Sequence, residues 1–303
     1  MSYKRNIIEI VVAGLCARHT MKHYCVGATI SRPCMTYNKK GGVSMKKIEY
    51  FIFNPGGNLT ALVINNHYNN HQKKQINDWI LKKHQTLEQV GFIDEYKYEL
   101  QMAGGEFCGN ATRCAIKYYL SKNQEKEMII KVSGMEEPLD GGSNLDEKIW
   151  VDIPVKEIKD ATQEGVKIVR LEGITHIVLN EVASKKYIVN QEKLKDYAKE
   201  IIEYMKIDDK AVGVLFTEKA EEKIKLYPIV WVKDIETLFF ETACGSGTVA
   251  VTACSDEKEV SVIQPSGYEI TGKKILKDKG EYIKIIGVVS TDNKANIIEE
   301  ELI

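Results

Sequence analysis

Apolar residues along this chain of 303 residues recur with two different periods. Val, Ile, Tyr and Phe alternate with polar residues over 46–53, 59–64, 97–102, 128–133, 148–155, 166–171, 174–179, 212–217, 224–232, 259–263 and 282–289. Alternation of this kind over short runs predicts strands with one face in a core. Two segments carry the helical period instead. Residues 72–85 place Ile76, Trp79 and Ile80 on one face, and 191–206 place Leu194, Tyr197, Ile201 and Met205 likewise, so both read as surface helices. Runs 110–120 and 246–254 differ, being small or apolar around the whole circumference, as suits a helix enclosed by sheet. The expected class is α+β: two similar lobes, each a mostly antiparallel sheet wrapped around a central helix, with the cleft between them as the natural ligand site.

Each enclosed helix follows a similar motif. Glu106-Phe107-Cys108-Gly109-Asn110-Ala111-Thr112 and Glu241-Thr242-Ala243-Cys244-Gly245-Ser246-Gly247-Thr248 both set a cysteine before glycine and small polar residues. That puts each sulfur at a helix start, beside unpaired N–H groups and the positive end of the helix dipole, where a thiolate is favoured. The recurrence suggests an internal duplication. Its lobes are expected at 45–160, with Cys108, and 161–290, with Cys244, leaving 291–303 as a C-terminal tail. The charged stretch 156–165 divides them.

Composition narrows the class. The net charge of −1 gives no reason to expect nucleic acid, and no apolar run approaches bilayer length. Of Cys16, Cys25, Cys34, Cys108, Cys114, Cys244 and Cys254 none forms a CxxC pair, and the histidines show no HExxH spacing, so neither metal site nor disulfide framework is expected. Reduced thiols fit a cytoplasmic protein. Residues 1–44 stand apart: Lys4, Arg5, Arg18, Lys22, Arg32, Lys39 and Lys40 oppose only Glu9. Glu9 interrupts their one apolar stretch, which argues against a signal sequence. Met45 is the expected true start, with Lys40-Gly41-Gly42 as the accidental translation of a purine-rich ribosome-binding sequence.

Together with Asn54-Pro55-Gly56-Gly57-Asn58, Glu88-Gln89-Val90-Gly91-Phe92 and Gln264-Pro265-Ser266-Gly267, the two cysteine motifs resemble the diaminopimelate epimerase-like superfamily of cofactor-independent amino-acid racemases. Within it the likeness is greatest to the histidine racemases of metallophore-producing bacteria. It spans nearly all of 45–290 and omits 1–44. The chemistry is consistent with the residues: inverting Cα needs a base on one face and an acid on the other, and two thiols on opposing lobes supply both. A thiol pKa of about 8.5 is within reach of neutrality at a helix start. The enolate charge would meet N–H groups of Asn110 and Ala111 on one side and Gly247 and Thr248 on the other, with Gly109, Gly245 and Ser246 completing the two cradles. No cofactor is then needed.

Cysteine is ordinarily a small buried hydrophobe, and Cys114 and Cys254 are read that way; Cys108 and Cys244, in matched motifs, are read as catalytic. Glu106 and Glu241 stay outside the catalytic set as residues that cap or solvate a turn. By resemblance Asn58 hydrogen-bonds the substrate's amino or carboxylate group, although alone it reads equally as a turn asparagine. His176 falls where related epimerases place an Asn-Pro-His-Val element lining the cleft; the Asn-Pro is missing here, leaving both a ligand contact and a satisfied strand histidine open. Diaminopimelate epimerases carry an Arg ahead of the second cysteine, and Val232-Lys233-Asp234-Ile235-Glu236-Thr237-Leu238 has none, which argues against a substrate with two carboxylates. The resemblance implies instead that Glu88, or more weakly Glu236, accepts a hydrogen bond from an imidazole; Glu88 alone reads equally as a solvated strand-edge carboxylate. The expected activity is interconversion of L- and D-histidine, supplying an opine-type metallophore. Another amino-acid epimerase and a silent amino-acid-binding paralogue are the alternatives. The expected partner is a small amino acid, with no nucleic acid or membrane, and a homodimer is the assembly considered.

Overall fold

The computed structural model describes residues 45–65, 67–233 and 237–301; the expectations for 1–44 and for Glu236 fall outside them. The first series of elements is β1 (Met45–Asn54), β2 (Thr60–Ile64), α1 (Asn70–Lys83), β3 (Gln89–Asp94), β4 (Glu99–Met102), α2 (Gly109–Asn123), β5 (Glu127–Val132), β6 (Leu139–Ser143) and β7 (Ile149–Pro154). A second follows: β8 (Glu157–Asp160), β9 (Val166–Arg170), β10 (Thr175–Leu179), α3 (Glu181–Ile188), α4 (Leu194–Met205), β11 (Ala211–Ala220), β12 (Lys223–Val232), β13 (Thr237–Phe240), α5 (Gly245–Cys254), β14 (Glu259–Ile263), β15 (Glu269–Lys277) and β16 (Gly280–Gly287). β17 (Ser290–Thr291) and β18 (Asn296–Glu301) then return to pair antiparallel with β1. Residues 296–301 of the expected tail are therefore sheet.

One order of pairings occurs twice. β1–β2 is antiparallel, β2–β3 parallel across α1, β3–β4 antiparallel, β4–β5 parallel across α2, and β5–β6–β7 antiparallel. β9–β10, β10–β11 across α3 and α4, β11–β12, β12–β14 across α5, and β14–β15–β16 repeat it, and β16 pairs with β7 to make the sheet continuous. Parallel neighbours need a crossover, and each parallel pair has its helix or helices. The result is the expected α+β class, with a large mixed sheet and few helices.

Three cores follow from the helix faces. Ile76 and Ile80 of α1 pack on Ile48, Tyr50 and Phe92. Leu194 and Ala198 of α4 pack on Val212, Val214 and Phe216. The largest core takes in both α2 and α5, which are buried on nearly every side. α1 starts where Asn69 makes a reciprocal capping box with Gln72, which the sequence pattern placed two residues later.

Glycine explains some strands that alternation did not predict. β6 reads Leu-Asp-Gly-Gly-Ser and lacks a hydrophobic signal, yet a Cβ on Gly141 would lie 2.3 Å from Ile116 Cδ1 of α2 and 3.1 Å from the Trp150 carbonyl oxygen. The helix can sit so close only because the strand has no side chain there. In β15 Gly272 faces Thr252 of α5 at an equally short range. Gly141→Ala is expected to destabilise the protein by about 1–3 kcal/mol, because a backbone carbonyl cannot move aside. Denaturant titration checks this, and an unchanged midpoint contradicts the packing described.

Candidate active site

Cys108 and Cys244 are the N-cap residues of α2 and α5. Each sulfur accepts from the N–H three residues on: Ala111 to Cys108 at 3.4 Å and Gly247 to Cys244 at 3.1 Å. A side chain at 247 is excluded, since its Cβ would lie 2.9 Å from Cys244 Sγ. The two helix starts touch. A Cβ on Gly245 would meet Asn110 Oδ1 at 3.1 Å and Asn110 N at 3.3 Å, and one on Gly109 would reach the Gly245 carbonyl carbon at 3.8 Å. Asn110 Nδ2 donates to the Ala243 carbonyl at 3.0 Å, binding one start to the approach of the other.

Two loops hold this junction. Asn54 Oδ1 accepts from Gly56 N at 3.0 Å and Gly57 N at 2.7 Å, and both glycines have positive φ, so Asn-Pro-Gly-Gly-Asn is a tight turn only glycine can follow. Asn58, left-handed at φ 49°, then donates its N–H to Thr242 Oγ1 at 2.7 Å and its Nδ2 to the Ala243 carbonyl at 3.3 Å. Its buried Oδ1 has no partner among the described residues. Across from it, Ser266 donates Oγ–H to the Gly56 carbonyl at 2.7 Å, and Gln264 Oε1 accepts from Cys244 N at 2.9 Å. The Asn-Pro-Gly-Gly-Asn and Gln-Pro-Ser-Gly motifs thus clasp residues 242–244 from two sides.

Carboxylates ring the sulfurs. Glu241, three residues before Cys244, acts electrostatically on both the Cys244 and Cys108 thiols. Exposed Glu88 accepts a hydrogen bond from Thr242 Oγ1 and sits near Glu241. Cys108 donates to Gln89 Oε1 at 3.1 Å, and Gln89 Nε2 donates in turn to Thr60 Oγ1 at 2.8 Å.

Residues 47–296 match the family described as the histidine racemase CntK N-terminal domain. The chain belongs to that family, one of isomerases. Among its relatives, the histidine racemase of Fusobacterium nucleatum subsp. nucleatum (strain ATCC 23726) is 30% identical over 239 residues, spanning 73% of this chain and 88% of the relative. The histidine racemase of Staphylococcus aureus (strain Mu50) is 26% identical over 276 residues, spanning 80% and 95%. Among solved structures, a phenazine biosynthesis protein of the PhzF family from Bacillus anthracis superposes with a TM-score of 0.55 at 15% identity, over 84% of this chain and 99% of the other. A hydroxyproline epimerase from Agrobacterium vitis gives 0.53 at 9%, over 84% and 93%. At these identities the two structures share the fold with this chain.

Three expectations for this histidine racemase family site change with the structure. The helix starts do not make thiolates of the cysteines. Burial pushes the Cys108 thiol up to about 11, with Glu241 and Glu106 adding to the rise against the Ala111 N–H. Burial, and then Glu241, hold Cys244 well above the ordinary range. Loss of solvent outweighs the dipole when carboxylates stand alongside. Second, the nominated N–H groups of Ala111 and Gly247 are occupied by the sulfurs, and that of Thr248 bonds the Cys244 carbonyl at 3.0 Å. The free donors are those of Gly109 and Asn110, and of Gly245 and Ser246, which precede the first intrahelical bonds and meet no acceptor among the described residues. Third, His176 is not a satisfied strand histidine: it is fully buried and neither ring nitrogen has a partner among the described residues. Its ring fills the space over Gly213 of the neighbouring strand, where a Cβ would lie 2.1 Å from Nδ1. No hydrogen bond joins it to the cysteines or to Asn58.

Gln89 and Thr242 lie inside the quoted motifs without having been assigned a role, and the fold gives them one: Gln89 accepts from Cys108, and Thr242 links Asn58 to Glu88. Glu241, set aside as a turn residue, is raised to about 7 by burial, with Glu88 adding to the effect.

Burial lowers His176 to about 3, so the folded protein binds its proton only below that value, whereas the unfolded chain takes it up near 6.5. Stability is therefore complete above pH 6.5 and falls as pH drops below it. Between pH 7 and 5 His176→Leu is expected to lose about 2 kcal/mol less stability than wild type. Denaturant midpoints at the two pH values check this, and equal acid losses contradict it.

Proposed function

We propose that this protein interconverts L- and D-histidine without a cofactor, using Cys108 and Cys244 as the acid and base on opposite faces of Cα. The supporting observation is the junction of the two helix starts, each capped by its own cysteine and joined through Asn110 and the Ala243 carbonyl. On this reading the two series of strands are two lobes, 45–160 and 161–290, facing each other across a cleft at that junction. The doubled order of pairings supports it.

The substrate carboxylate is bound by the free N–H groups of Gly109, Asn110, Gly245 and Ser246, where two dipoles converge. When Cα loses its proton the charge passes onto the carboxylate oxygens as an enediolate, and these donors hold it; each such donor contributes about 2.7–4 kcal/mol in comparable sites. Because both thiols are protonated in the free protein, one proton must first leave. Glu241 accepts the proton of Cys244 as a neighbouring carboxylate. The Cys244 thiolate removes the Cα proton, and Cys108 gives its own proton to the opposite face. For the other enantiomer the sulfurs act in reverse order. Glu88 accepts an N–H of the imidazole, and the buried Oδ1 of Asn58 accepts from the ammonium. Reduced thiols suit a cytoplasmic setting, and D-histidine would supply an opine-type metallophore.

Incubation with L-histidine in deuterium oxide is expected to give deuterium at Cα and D-histidine. Cα that stays protonated with every amino acid tried would leave a binding protein. Cys108→Ser and Cys244→Ser should each lower turnover by about 10²–10⁴-fold, and near-normal activity in either removes the two-thiol mechanism. Glu241 must be ionised to accept a proton, so kcat/KM should rise as pH rises through about 7. Glu241→Gln should abolish that rise; a variant that keeps the same profile rejects the role of Glu241.

A further inference from the structure

Arg113 takes no part in the chemistry described above, yet its position is unusual. It is the largest fully buried side chain of the described residues. Its Nη2 donates to the Pro55 carbonyl at 2.8 Å and to Asn110 Oδ1 at 2.8 Å, while Nε and Nη1 meet no acceptor among the described residues. Nη1 lies over Gly287 of β16, where a Cβ would be 2.6 Å away. No carboxylate of the described residues pairs with it; the groups that act favourably on its charge are the sulfurs of Cys114 and Cys108.

A guanidinium stays charged at neutral pH, and burying it without a counter-ion is costly. Here the cost is compounded, because the cation stands beneath two helix starts whose dipoles are themselves positive toward the junction. Such a concentration of positive charge is compensated when negative charge forms beside it. Burial holds the Cys114 thiol far above the ordinary range and so keeps it neutral, which leaves a thiolate of the paired cysteines and the carboxylate of a ligand at the free N–H groups as the anions available. Arg113 is also tied mechanically to the junction: by holding Asn110 Oδ1 it turns Asn110 Nδ2 toward the Ala243 carbonyl.

We propose that Arg113 is a positioning residue whose uncompensated charge, set under the facing helix starts and linked to them through Asn110, favours the thiolate of Cys108 and the anion that develops on a bound carboxylate. Its role in turnover rests on the two-thiol reading, whereas its effect on the thiol can be measured without substrate.

The test is alkylation of the full chain by iodoacetamide at pH 8, with each cysteine followed by peptide mass spectrometry and the distant Cys254 as internal reference for loosening of the fold. Arg113→Met is expected to slow alkylation of Cys108 about tenfold relative to Cys254, since thiolate at that pH falls tenfold for each unit that the thiol rises. Arg113→Lys, which keeps the charge, should stay within threefold of wild type. A folded Arg113→Met that slows Cys108 by less than threefold overturns the inference. Should that variant not fold, Arg113→Gln decides in its place by the same threefold limit, and a slowing greater than threefold in Arg113→Lys overturns the inference too. Slowed alkylation in Arg113→Met, in a protein whose wild type racemises nothing, supports the charge effect and rejects the racemase reading alone.

Discussion

The contact between the starts of α2 and α5 is the constraint on which the rest of the structure depends. Two helix N-termini meet with their unpaired N–H groups toward one place, an arrangement that dipoles of like sign resist. Gly109 and Gly245 allow the backbones to meet, and the Asn110 bond to the Ala243 carbonyl holds them there. The enclosing sheet supplies the remaining force, since both helices are buried in one continuous apolar core and cannot separate without exposing it.

That junction has a sign, and the residues around it respond to it. The helix ends and Arg113 make it positive, while Glu241 acts on both sulfurs and Glu106 on Cys108 in the opposite sense. Burial first, and Glu241 and Glu106 after it, hold the sulfurs in the thiol form. Carboxylates on a desolvated site raise a thiol, and a helix start alone offsets only part of that rise.

Several unfavourable features lie beside the junction. Gly56, Gly57 and Asn58 follow one another at positive φ, Arg113 is buried without a carboxylate, and Asn58 Oδ1 is left unpaired. His176 is equally unpaired but sits against a neighbouring strand. Its burial makes the fold lose stability as pH falls below 6.5, without a visible link to the sulfurs.

Much of this was legible in the chain itself. Alternation marked most of the long strands, the all-round small composition marked the two enclosed helices, and cysteine before glycine marked their starts, because each of these signals is written in residues adjacent in sequence. The strands built on glycine, such as β6, were hidden, since their reason for being is a helix that passes close by and not an apolar pattern of their own. The contacts among the quoted motifs were hidden likewise: Gln89 accepts from the Cys108 sulfur and Gln264 from the Cys244 N–H, each across a long stretch of chain. The sign of the thiol shift could not be read from a motif either. A helix dipole is a local property that sequence predicts, but desolvation and the approach of Glu241 are sums over everything packed around the sulfur, and only the folded chain determines those.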